Sequence, residues 1–178
     1  MFKYTYKMPK GGLNLNLYHD IFNKVTGEKI AEAVAYAKQK VQENTHVGAG
    51  PAHIKDNIVE EIINYQGKIK GLLGIQSVDG TGGNPIEYAY NVEFGHEPYY
   101  IGKKVVETKI LYWVENVLHK SGKEALGVAW AIAKTIGYVG YDAHEMWKRG
   151  WEDSEVEVLN ILNSIPQGII EEINKIWS

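Results

Sequence analysis

Between a glycine-rich turn and the middle of the chain lies the stretch Glu87 to Pro98, "EYAYNVEFGHEP", which places carboxylates, a histidine and aromatic rings within twelve positions. Three chemistries use such residues. Glu93, His96 and Glu97 are a candidate metal or acid–base cluster, because Glu93 and His96 stand at i and i+3 and would share a face on a helix. Glu87, Glu93 and Glu97, or Glu60 and Glu61, supply carboxylate pairs for general acid–base work. The same twelve residues also suit a surface built to fit another protein.

The metal reading is weakened by spacing. Six histidines are present, but "HEPYY" and "HEMWK" both lack the second histidine at i+4 that a helical zinc motif requires. The serine content is low, with five in the chain and none in a Gly-x-Ser-x-Gly elbow. "VDGTGGN" lacks the Lys-Ser/Thr pair of a phosphate loop and the Gly-x-Gly-x-x-Gly spacing of a dinucleotide site, and reads as an inter-element loop. No cofactor is expected. With no cysteine in the chain, disulfides, thiolate catalysis and Cys-ligated metals are excluded.

The aromatics suggest a different use. Twelve tyrosines and five tryptophans outnumber three phenylalanines, and "EPYYIG", "GYVGYDAHEMW" and "RGW" set them beside glycines. Tyr and Trp combine a large apolar body with a polar tip, which suits surfaces that are first exposed and later covered.

These residues need a scaffold, and 178 residues at 44% hydrophobic and 23% charged suffice for a core that buries roughly 70% of the unfolded surface. Nineteen basic against 22 acidic residues give a formal charge of −3, without the basic stripe that phosphate neutralisation demands. The N-terminus has no apolar targeting segment and no apolar run is long enough to span a bilayer, so a chain made in the cytoplasm with no membrane partner is expected.

Along the chain, Leu13, Leu15 and Leu17 alternate with asparagines, and residues 1–20 are expected to form an extended arm or edge strand able to pair with a neighbour. Residues 21–178 are expected to form a single α+β domain. Ile30, Val34, Ala37 and Val41 predict an amphipathic helix from Thr26 to Asn44. Ile54 to Tyr65 and Lys68 to Ser77 read as a hairpin across Gln66 and Gly67, the basis of an antiparallel sheet. Val106, Ile110, Trp113 and Val117 mark a helix ending near His119. Ser121 with Glu124 reads as a capping box opening the next, so a helical hairpin is expected at about 104–137. Val158, Leu162, Ile165, Ile169, Ile173 and Ile176 keep helical phase through Pro166, as one kinked C-terminal helix or two short ones divided near Ser164.

Four segments in order carry a resemblance. Tyr88-Ala89 followed by Val92-Glu93-Phe94-Gly95 resembles the Tyr-Ala-x-x-Val-Glu-Phe-Gly signature of the tailed-bacteriophage neck or tail-completion proteins, a family that includes the lambda minor tail protein Z. "AHIKDNI" is similar to that family's Thr-Gly-x-Leu-Arg-x-Ser-Ile segment at Ile54, Lys55, Asn57 and Ile58. Tyr112 to Gly140 resembles a helical insertion many members carry, and the helix from Trp151 resembles their closing helix. The likeness spans roughly residues 26 to 177. It departs at Pro51-Ala52, where the family has Thr-Gly, and in "YVGYDAHEMWKRGW", which lacks the family's Gly-Thr and Arg-Pro-Phe pattern.

The resemblance implies a virion structural protein of the head–tail junction, made in the host cytoplasm and without enzymatic activity. It implies a ring of its own copies, a hexamer favoured over a dodecamer, contacting head-completion or connector, tail-terminator or tail-tube proteins, with DNA only as passing cargo. Tyr88, Ala89, Val92, Glu93, Phe94 and Gly95 would then be a structural and interface motif. Tyr88, Val92 and Phe94 would pack, Gly95 would turn the backbone, and Glu93 would make a fixed hydrogen bond or an inter-subunit ion pair. Leu13, Leu15 and Leu17 would lie on an arm reaching an adjacent subunit. The competing readings are a small phage hydrolase or metal-dependent nuclease using Glu93, His96 and Glu97, and a toxin- or antitoxin-like binding module.

Overall fold

The computed structural model describes residues 14–45, 54–65, 67–76 and 85–177. Leu13, Ala52 and the loop "VDGTGGN" lie outside them. The class is α+β, in the order α1 (Leu15–Glu43), β1 (Ile58–Tyr65), β2 (Lys68–Ile75), α2 (Pro85–Phe94), α3 (Lys103–Val105), a π-helical turn at Val106–Ile110, α4 (Leu111–Val117), α5 (Gly122–Val139), α6 (Met146–Asn163) and α7 (Ile165–Trp177). No helix among the described residues is long and apolar enough to cross a membrane.

The expected single domain meets a chain that divides into two compact units, Met1–Tyr36 with Glu60–Leu72 and Glu155–Ser178, and Ala37–Val59 with Leu73–Ser154.

In the first unit the expected extended arm is corrected from Leu15 onward. Leu15 and Leu17 occupy the first turn of α1, which starts about eleven residues earlier than the sequence pattern suggests. The reason is Asn14, whose side-chain oxygen accepts the Leu17 N–H at 3.3 Å and caps the helix. Thr26 and Gly27, read as the helix start, lie inside it. The apolar stripe extends back through Ile21 and Val25, both buried, and Val25 Cγ1 comes within 2.9 Å of where a Cβ on Gly168 of α7 would stand. The same two helices are joined by Lys24–Glu172 at 3.8 Å and by an edge-on contact of Tyr18 with Trp177 at 6.4 Å.

The hairpin forms as expected, although its first strand starts at Ile58. Gly67 at φ +74° serves the two-residue turn. The Gln76 N–H donating to Asn57 O at 2.9 Å fixes the register and sets Ile62 opposite Gly71. Gly71 is where α1 crosses, since a Cβ there would collide with Val34 and stand 3.0 Å from Ile30.

α6 ends at Asn163 and α7 starts at Ile165, so the two-helix alternative is the one adopted. Ser164 closes the break, its hydroxyl donating to Ile161 O at 2.6 Å, and Pro166 sits in the first turn of α7, where its missing N–H costs little.

The second unit has two apolar clusters. Val41, Ile54, Ile58, Ala89, Val92 and Met146 form one, with Leu73, Ile75 and Trp147 packed against it. The other fills the expected helical hairpin, where Ala125, Ala129 and Ala133 repeat every four residues and admit Ile101, Val106 and Val114. The capping box does not form. Ser121 makes no side-chain cap, because Gly122 at φ +58° breaks the regular first turn, and Glu124 pairs instead with Lys120 at 2.7 Å.

Candidate functional site

The signature stretch lies on α2, and helical spacing divides its residues between two faces. Ala89, Val92 and Glu93 are buried, whereas Tyr90 and Phe94, one turn apart, are 63% and 66% exposed. Their rings lie 4.8 Å apart at 51°. The expectation that Phe94 packs inward is therefore corrected: residue 94 is two positions beyond Val92, which turns it by about 200° around the helix. Tyr88 belongs to the same helix, its side chain outside what the structure describes.

Gly95 ends α2 at φ +74°, the left-handed conformation that glycine accepts without penalty. It also leaves room for an approaching chain. A Cβ there would lie 2.7 Å from Ala143 N and 2.8 Å from Tyr141 O. Immediately beyond, His96 and Tyr141 exchange backbone hydrogen bonds, 3.0 Å from His96 N–H to Tyr141 O and 3.1 Å in return. The crossing is tight enough that a Cβ on Gly140 would run into the His96 carbonyl oxygen.

Past this bridge, α2 and α6 are tied end to end. The His144 N–H donates to Val92 O at 2.8 Å and the Glu145 N–H to Glu93 O at 3.3 Å, satisfying carbonyls left open at the end of α2. In the other direction the Glu93 carboxylate accepts the Trp147 N–H at 2.8 Å and the Lys148 N–H at 3.3 Å, in the first turn of α6. A side chain distant in sequence thus performs the work of an N-cap, where the helix dipole favours a negative charge. The fixed hydrogen bond expected of Glu93 is made within the chain, to the first turn of α6.

The cluster Glu93, His96 and Glu97 is not brought together. Glu93 is buried on the α6 amides. His96 Nδ1 lies 2.6 Å from Glu97 O; a carbonyl only accepts, so Nδ1 carries the proton of that bond. The His96 ring lies 4.3 Å from that of Tyr99, and the Glu97 side chain is exposed. Among the described residues no group of three or more His, Asp or Glu side chains could hold a metal ion. A shallow hollow of about 390 Å³ lies beside the bridge, bordered by Phe94, His96, Glu97, Val139, Tyr141 and Asp142.

The partners of the motif, Tyr141, His144, Trp147 and Lys148, lie in the stretch "YVGYDAHEMWKRGW", for which the sequence predicts no element. They act through backbone groups, so residue identity carries no signal of them; Gly140 alone marks the close approach.

Fold and site together describe an α+β protein in which a short motif locks two helices end to end and leaves paired aromatic rings outside. Comparison with protein-family models, curated proteins and solved structures finds no match.

Proposed function

We propose that this chain is a structural protein of the bacteriophage head–tail junction, forming a ring that completes the tail or joins it to the head and lets DNA pass. The observation that carries the reading is how the signature residues are used. Glu93 and Gly95, the members with most chemical or conformational potential, are both spent on holding α2 to α6. What the motif offers outward is Tyr90 and Phe94, and exposed rings of this kind recur nearby at Tyr99, Tyr100 and Tyr138, 44%, 88% and 75% exposed. Aromatic side chains so placed are the usual anchors of protein contacts. A ring subunit joins its neighbours through two different faces, and this aromatic face supplies one of them.

The test is solution mass by light scattering, alone and mixed with tail-tube and connector proteins, with metal content assayed on the same sample. The expected result is a closed ring, or a monomer that enters one in the mixture, with no stoichiometric metal. A metal-bound monomer indifferent to both partners would overturn the proposal.

A further inference from the structure

The hollow beside the His96–Tyr141 bridge has a chemical character that the fold itself does not use. Glu97 and Asp142 stand at its border, and neither meets a cation among the described residues. Phe94 and Val139, both exposed, add an apolar wall. Val139 is also the last residue of α5, so the carbonyl end of that helix, where partial negative charge collects, closes on the hollow. Such a surface suits a cationic projection with an apolar shoulder.

The chain carries a projection of that kind at the other end of α5. The turn between α4 and α5, residues 118–123, exposes Leu118, His119, Lys120 and Lys123. Lys120 is paired with Glu124 at 2.7 Å, whereas Lys123 has no ion pair among the described residues. The amide end of α5 opens beside it at Gly122, adding partial positive charge. His119 holds φ +53°, the conformation for which glycine is usual after a helix, so the apex of the turn bears a ring where a hydrogen atom would be ordinary.

From Lys123 to Tyr138, α5 rises about 22 Å at 1.5 Å per residue. A rigid helix of that length keeps the tip away from the hollow of its own chain. We propose that the tip of one copy docks in the hollow of the next, with Lys123 against Asp142 and Glu97, and Leu118 against Phe94 and Val139. The proposal rests on the reading of the chain as a ring subunit and supplies the second of the two faces such a subunit needs. Each copy offers its tip to one neighbour and its hollow to the other, the head-to-tail arrangement that closes into a ring. Complementary charge fixes the direction and register of the contact, and removal of the apolar side chains from water drives it.

Because the chain lacks cysteine, single substitutions report without background. Leu118→Cys and Val139→Cys are introduced into separate full-length chains, one bearing a mass tag, and oxidised alone and as an equal mixture. The expected result, read by non-reducing gel and intact mass, is a disulfide joining the two different variants several-fold faster than either variant joins to itself. At low salt, Lys123→Glu added to the Leu118→Cys chain should slow that bond several-fold, and Asp142→Lys added to the Val139→Cys chain should restore it. Like pairs that bond as fast as the mixed pair would show a symmetric or random contact and overturn the proposal. No mixed bond, or a mixed bond indifferent to both charge changes, would overturn it as well. Rings that form with connector or tail-tube proteins while positions 118 and 139 stay unlinked would sink this contact alone. Mixed bonds in a protein that ignores both partners would sink the head–tail reading and leave the contact standing.

Discussion

The Glu93 carboxylate lies 2.8 Å from the Trp147 N–H, on an amide 54 positions further along the chain, and through it α2 controls where α6 begins. Replacing Glu93 with Ala leaves two first-turn donors without their acceptor. We expect Glu93→Ala to lower stability by about 1–3 kcal/mol and Glu93→Gln, which keeps one acceptor oxygen, by about 1 kcal/mol. Urea titrations of the three proteins measure this. Equal stability for all three would remove the capping role.

Gly140 and Gly127 make a contrasting pair. Gly140 has φ +76° and ψ −152°, a conformation nearly confined to glycine, and faces the His96 carbonyl where a Cβ would stand. Gly127 lies inside α5 with nothing within 4 Å of such an atom. Gly140→Ala should cost about 2 kcal/mol or more, whereas Gly127→Ala should gain roughly 0.5–1 kcal/mol from helix propensity. Thermal melts of both single variants give the comparison, and matching signs would refute the account.

The parts legible in the sequence were those encoded by side-chain pattern. The hairpin is announced by two β-rich runs separated by two residues, whereas α5 was expected from a capping box at Ser121 and Glu124 that does not form. The α6–α7 break was visible as alternatives because Pro166 and Ser164 are local signals. The start of α1 was misread because "LNLNL" fits alternation in a strand and also a helix capped by Asn14, and only the burial of Ile21 and Val25 separates the two. In the site, Gly95 as a turn was legible. The partner of Glu93 was not, since an amide looks the same in every residue type except proline, and the inward placement expected for Phe94 failed once α2 proved helical.

Acid should weaken one tie in the first unit. Glu172 accepts from Lys175 at 2.7 Å and faces Lys24 of α1 at 3.8 Å. The Lys175 hydrogen bond first, then the charges of Lys175 and Lys24, hold its carboxyl below the ordinary 4.5. A folded pKa below the unfolded one gives stability that is complete above that ordinary value and is lost as pH falls through the lower folded value. Glu172→Gln should therefore lower the urea midpoint slightly at about pH 7, and that deficit should shrink as pH falls through the lowered folded value, the effect being small because the pair is at the surface. A deficit that persists undiminished in acid would show that the charge is not its source.

Tyr90 and Phe94 separate folding from assembly. Both rings lie on the outer face of α2 and contact each other, so replacing both with serine removes little that the isolated fold relies on. Stability should stay within about 0.5 kcal/mol of the parent protein. If these rings anchor the contact between subunits, the same double variant should weaken association by about 2 kcal/mol or more, the scale of interface anchors. Sedimentation over a concentration series, read beside the melt, distinguishes the cases. Glu93→Ala should lose stability first and association only as a consequence, whereas Tyr90→Ser with Phe94→Ser should lose association alone. A double variant that melts early would return both rings to the fold, and one that assembles normally would move the interface elsewhere on the molecule.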